Sequence, residues 1–193
     1  HVPFRAWLIA WLPRLYAPGM MIRPLTNLIT GTSLFKRLIG FSVNRPIPAL
    51  SPVTLRGWIR RHGKRNGNLQ ATGAINQEGR LREGKINENG QASKGTVFLF
   101  ADEFTNYNES DIGIKAVMLL ERLGYEVIIP RHRESGRTFL SKGLIRSARK
   151  VAFENIMLLR DVVTEDKPLV GIEPSALLTF RDEYPEMAGK VLA

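Results

Sequence analysis

Thr96-Val97-Phe98-Leu99-Phe100-Ala101, followed at once by Asp102-Glu103-Phe104-Thr105-Asn106, is the stretch whose reading decides the fold. Six apolar or β-favouring residues in a row read as a strand buried on both faces, and the polar run after it reads as a turn. Asp111 is a candidate helix cap, and Ile112, Ala116, Leu119, Leu120 and Leu123 recur at helical spacing until Gly124. Val127, Ile128 and Ile129 give a second short strand, and Pro130 to Arg137 a polar loop. Leu140, Leu144, Ala148, Val151, Ala152, Ile156 and Leu159 then predict one long amphipathic helix. Leu169 and Val170 make a third strand, and Glu173 with Pro174 opens a third helix, proline being tolerated where the first amides lack partners.

Strands alternating with helices imply a parallel sheet, because parallel neighbours need a helical return and that return is right-handed. Ligands of such sheets sit beyond the carboxyl ends of the strands. The segments Asp102 to Asn106, Arg131 to Arg137 and Ile172 to Ser175 are therefore expected to converge on one crevice, with Asp102, Arg137 and Glu173 brought together.

The phrases FADEFTNYNESDIG (100–113), LERLGYEVIIP (120–130), ESGRTFLSKGL (134–144) and VGIEPSALLTFRDEYPEM (170–187) resemble, in order and spacing, the C-terminal cysteine-rich CCG domain of FAD-linked oxidases of the glycolate oxidase and D-lactate dehydrogenase type, a relative of the heterodisulfide reductase iron–sulfur subunit. The resemblance covers the second half of the chain, from Gly95 on. It implies a three-layer, Rossmann-like α/β fold, with FAD and four-iron four-sulfur clusters in domains that precede this one. Cluster cysteines of the family would fall at Glu134, Ser135 and Ala176, yet the chain contains no cysteine at all. Clusters are held by soft thiolates, so no cluster of the family's kind is expected here. The chain then reads as the non-catalytic tail of an oxidoreductase for a 2-hydroxy acid of the D-lactate or glycolate type, with a structural or docking role towards the upstream flavin and ferredoxin-like domains or an electron acceptor.

The residues that remain for the crevice are Asp102, Glu103, Asn106, His132, Glu134, Arg137, Glu173, Ser175 and, a turn further on, Arg181 with Asp182. Carboxylates facing guanidiniums most simply form an ion-pair network; an altered anion or metal site is the functional alternative. The three histidines, His1, His62 and His132, have no metal-ligand spacing. Gly136 to Gly143 has the outline of a phosphate loop, but Ser141 and Gly143 stand where glycine and a magnesium-binding hydroxyl are needed.

Charge divides the 193 residues unevenly: residues 1–94 hold 15 Lys and Arg against 3 acids, and residues 95–193 hold 13 against 15. Residues 1–62 read as a basic helical segment that packs on upstream domains. In it Phe4, Trp7, Leu8, Trp11 and Leu12 form one stripe ending at Pro13; Met21, Leu25, Leu28 and Ile29 form a second, interrupted by Pro24. Short helices follow from Ser33 and from Ser51-Pro52, the latter burying Leu55, Trp58 and Ile59. Residues 63–95, rich in Gly, Asn and basic side chains, read as a flexible linker, and 96–193 as the α/β domain. The alternative for the basic half is a binding module for nucleic acid or an anionic membrane surface. No aromatic residue lies within the linker to stack bases, which disfavours nucleic acid. The resemblance implies a cytoplasmic location, with peripheral contact at the inner membrane face as a further option.

Overall fold

A computed structural model describes residues 2–65 and 93–189; most of the expected linker lies outside the described residues. Four helices come first: α1 (Phe4–Met21), α2 (Arg23–Gly31), α3 (Ser33–Leu38) and α4 (Leu55–Arg65). The remainder runs β1 (Gly95–Phe100), α5 (Glu103–Tyr107), α6 (Ser110–Arg122), β2 (Tyr125–Ile128), α7 (Arg137–Ser141), α8 (Ile145–Leu159), β3 (Leu169–Gly171), α9 (Pro174–Asp182) and α10 (Tyr184–Ala188).

The three strands form one parallel sheet in the order β2-β1-β3. β1 is central, with Val97 opposite Val127 on one side and Leu99 opposite Val170 on the other. Its side chains alternate, as a strand demands. Val97, Leu99 and Ala101 join Val127, Ile129, Val117 of α6, and Leu55 and Ile59 of α4 in one core. On the opposite face the Phe100 ring meets Phe180 of α9 edge-on at 4.9 Å. A second core gathers Ala10, Phe139, Ala148, Val151, Ala152, Tyr184 and Met187, so α1 is bound to α7, α8 and α10.

Several local expectations are corrected. The polar run after β1 is a short helix rather than a turn, because Asp102 accepts from the amides of Phe104 and Thr105 and so caps it. Ser110, Gly113 and Val117 are the buried positions of α6, while Ile112, Leu119 and Leu123 are exposed. Of the expected stripe only Leu120 packs on the core around Leu99, with Ala116 half-buried, and Asp111 lies in the first turn of α6 without capping it. The single long helix is two, α7 and α8, since Gly143 takes φ +74° between them. α1 continues through Pro13 and Pro18 to Met21 with Ala10, Pro13 and Tyr16 buried, so packing outweighs the lost amide donors. Pro24 opens α2 instead of interrupting it. Leu55 and Ile59 are buried as expected, Trp58 partly so, and they pack against the sheet of this same chain.

Gly113 explains how α4, α5 and α6 can meet. A Cβ there would stand 2.6 Å from Leu55 Cδ2 and 3.0 Å from Thr105 Cγ2, and both residues are buried. Alanine in a helix interior is favoured over glycine by about 1 kcal/mol, but overpacking a filled core costs about 1–3 kcal/mol. Gly113→Ala is therefore expected to lower the thermal midpoint of the chain; an unchanged or higher midpoint by calorimetry would show that α4 yields freely.

Candidate functional site

A cleft of about 510 Å³ opens at the carboxyl ends of β1 and β2. Its walls come from α1 (Pro13, Arg14, Ala17), α4 (Arg56), the end of β1 with α5 (Ala101, Glu103, Asn106, Tyr107), the loop after β2 (His132, Arg133, Glu134) and α8 (Lys150, Glu154). This is where a parallel sheet places a site, though the basic N-terminal helices form part of the wall.

The loop after β2 is held from two directions. Glu103, 4% exposed, accepts from the Ser135 amide at 2.9 Å and from the Ser135 hydroxyl at 2.9 Å. On the other side Asn155 Oδ1 accepts from the Arg133 amide at 2.7 Å and Asn155 Nδ2 donates to the Glu134 carbonyl at 2.9 Å. Tyr184 donates to the Ser135 carbonyl at 2.8 Å and accepts from Asn155. Three consecutive residues are thereby fixed by side chains from α5, α8 and α10. Burial pushes the Glu103 carboxyl above the usual carboxylate range, against the Ser135 hydrogen bonds that pull it down. Burial also raises Tyr184, with Asn155 opposing, and raises Tyr16 to about 12, with Glu103 adding to the effect.

His132 Nε2 accepts from the Ala101 amide at 3.2 Å, so its proton sits on Nδ1, which donates to the Arg133 carbonyl at 2.6 Å. The ring lies 4.3 Å from that of Phe100. Burial, with Arg56 nearby, brings its pKa down to about 3. The imidazole is neutral and structural at neutral pH.

The charges on the cleft wall are partly spent on one another. Arg14 reaches Glu134 at 2.5 and 2.6 Å while its guanidinium lies over the rings of Trp11 and Phe139, at 4.6 and 5.1 Å. Arg133 pairs with Glu154 at 2.7 Å. Arg56 has no ion pair and no side-chain hydrogen bond among the described residues; burial lowers its pKa, Tyr107 partly offsetting and Arg60 reinforcing the effect.

Of the residues selected from sequence, Glu103, Asn106, His132 and Glu134 line the cleft. Asp102 is consumed as the α5 cap, bonding Thr105 Oγ1 as well at 2.5 Å. Arg137 pairs with Glu183, and Glu173 caps α9 by accepting from the Ser175 amide and hydroxyl. Asp102 and Glu173 thus serve the helices that follow their own strands, Arg137 reaches across to the end of α9, and no hydrogen bond or ion pair joins the three to one another among the described residues. Arg181 is exposed and paired with its neighbour Asp182. Ser135 and Ala176 are buried and Glu134 is ion-paired. A hydroxyl, a methyl and a salt-bridged carboxylate offer no thiolate, so the three positions do not suit a thiolate-held cluster, and no set of three metal-binding side chains occurs among the described residues. Arg14, Arg56, Arg133, Lys150, Glu154, Asn155 and Tyr184 were not selected from sequence, because each lies in a helix or loop whose orientation only the tertiary packing sets.

No family model matches the chain, and no solved structure matches it. It is similar to D-2-hydroxyglutarate dehydrogenase of Escherichia coli (strain K12), 26% identical over 190 residues, which is 97% of this chain and 17% of that protein. The protein of the same name from Pantoea ananatis is 27% identical over 159 residues, 82% of this chain and 14% of that protein. The one from Haemophilus influenzae is 30% identical over 90 residues. The chain spans about a sixth of the length of the first two relatives.

Two outcomes follow. Tyr184→Phe is expected to cost about 1–3 kcal/mol, as it strips partners from two buried groups; urea unfolding with an undiminished midpoint would show that Glu103 and Asn155 suffice to hold the loop. His132 titrates below its unfolded value, so its share of stability is present above pH of about 6.5. That share is lost as pH falls towards about 3, at no more than about 1.4 kcal/mol per unit. Glu103, raised, acts in the opposite sense. The midpoint difference between wild type and His132→Gln should therefore shrink from pH 7.5 to pH 5, and a constant difference would contradict the neutral ring.

Proposed function

We propose that this chain is the C-terminal, cluster-less, CCG-like segment of a larger FAD-linked dehydrogenase that oxidises a D-2-hydroxy acid, and that its own role is to pack against and position the redox domains. The observation that carries this reading is the match along 97% of the chain to a piece amounting to 17% of a D-2-hydroxyglutarate dehydrogenase. The four phrases of the second half and the parallel α/β arrangement support the CCG-like assignment. The relatives' name favours D-2-hydroxyglutarate over D-lactate or glycolate as substrate of the whole protein. FAD and clusters would belong to the remaining domains, since the cleft here supplies no cluster ligands.

The docking role also has a surface. Phe4 is 75% exposed, and Trp7, Leu25, Leu28, Ile29, Leu34 and Leu38 are exposed along α1, α2 and α3. Single exposed apolar residues are ordinary, but a run along three successive helices supports the reading of a surface that other domains cover. The competing reading, a basic module on anionic membrane, draws on the same residues and on the excess of Lys and Arg in residues 1–94. No helix among the described residues is long and apolar enough to cross a membrane.

Oxidation of D-2-hydroxyglutarate by the longer polypeptide bearing this chain, with D-lactate and glycolate as comparators, tests the parent activity; turnover of none of them would refute it. The chain alone should stay colourless and iron-free after anaerobic reconstitution with iron and sulfide. A stoichiometric brown chromophore would refute the cluster-less assignment. Tryptophan fluorescence should not shift with anionic vesicles at physiological salt, whereas a strong blue shift would favour the membrane reading.

A further inference from the structure

With Arg14 paired to Glu134, Arg133 to Glu154, and Glu103 engaged by Ser135, the polar groups left over on the cleft wall are predominantly donors. Asn106 is 4% exposed, and its orientation is fixed because the Arg56 amide donates to its Oδ1 at 3.0 Å. Its NH2 group is then the free end, with no acceptor among the described residues. The Arg56 guanidinium, the Lys150 ammonium and the Tyr107 hydroxyl line the same cleft and likewise have no acceptor among the described residues. Arg56 and Tyr107 are half-buried and Lys150 is exposed, so these donors open onto the cleft, where an arginine fork with no carboxylate of its own is left to meet a ligand.

We propose that the cleft binds a small anion, a carboxylate or a phosphate, through the Arg56 guanidinium, the Asn106 amide and the Lys150 ammonium. The planar fork of arginine matches either group. A volume of about 510 Å³ is that of a small-molecule site. His132 neither aids nor opposes the anion, as its Nε2 is taken by the Ala101 amide. Glu134 and Glu154 are neutralised by their arginines, which leaves Glu103 as the one opposing carboxyl on the wall, already bonded twice. The inference concerns a ligand bound by this chain itself and does not depend on the oxidoreductase reading.

The test uses the 193-residue chain, with inorganic phosphate and succinate titrated separately against chloride at matched ionic strength, followed by calorimetry and by thermal midpoint. At least one should bind one-to-one and raise the midpoint. Phosphate alone identifies the phosphate class, succinate alone the carboxylate class. Arg56→Gln and Lys150→Gln should each weaken binding, the first by about tenfold or more. Without anion, Arg56→Gln should melt no lower than wild type, because the guanidinium it removes holds nothing. Lys150 is exposed, so its substitution leaves folding out of the result. Absence of binding beyond chloride, binding indifferent to both substitutions, or a marked fall in the anion-free midpoint of Arg56→Gln would each overturn the proposal.

Discussion

The buried carboxyl of Glu103 holding the amide and hydroxyl of Ser135 is the constraint on which the site depends. It links the helix after β1 to the loop after β2, two segments that a parallel sheet brings near each other but does not itself connect. With that link made, Arg133 and Glu134 are set at fixed positions on the cleft wall, and Asn155 and Tyr184 complete the hold from the other side. A buried carboxyl is costly to ionise, and its two hydrogen bonds recover part of that cost. The geometry has the character of a rigid frame, with adjustable charge confined to the side chains around it.

The frame also accounts for the N-terminal helices. α4 contributes Leu55 and Ile59 to the core beneath the sheet and, on the next residue round from Leu55, presents Arg56 to the cleft. α1 is anchored by Ala10 and by Trp11 against Phe139, at 5.2 Å between rings, and sets Arg14 over Glu134. Basic residues that a composition count treats as one positive region are thus divided by structure, some turned inward to the cleft and others left outside.

Much of the α/β part was legible because strands buried on both faces show as unbroken apolar runs, and β1 to β3 lie within a residue or two of their expected places. Glu173 before Pro174 likewise announced the start of α9. What misled was helix facing. Ile112, Leu119 and Leu123 satisfy the helical period yet are exposed, while the buried side is marked by Ser110 and Gly113, small residues that carry no hydrophobic signal. Of the polar residues after the strands, Glu103, Asn106, His132 and Glu134 line the cleft, but Asp102 and Glu173 are engaged in capping, a use that sequence spacing does not separate from binding a ligand. Arg56 and Lys150 could not be singled out, since what distinguishes them is the absence of a partner.

The shortness of the outer strands has its own effect on how copies of this molecule behave towards one another. β2 has four residues and β3 three, one on each side of a central strand of six. Outer strands carry a row of backbone groups turned away from the sheet, and a long flat row invites a second chain to extend it. Here such an extension would gain only a few main-chain hydrogen bonds, each worth about 1 kcal/mol net. That gain is small beside the entropy lost when two molecules become one, so the brevity of these strands guards against edge-to-edge aggregation.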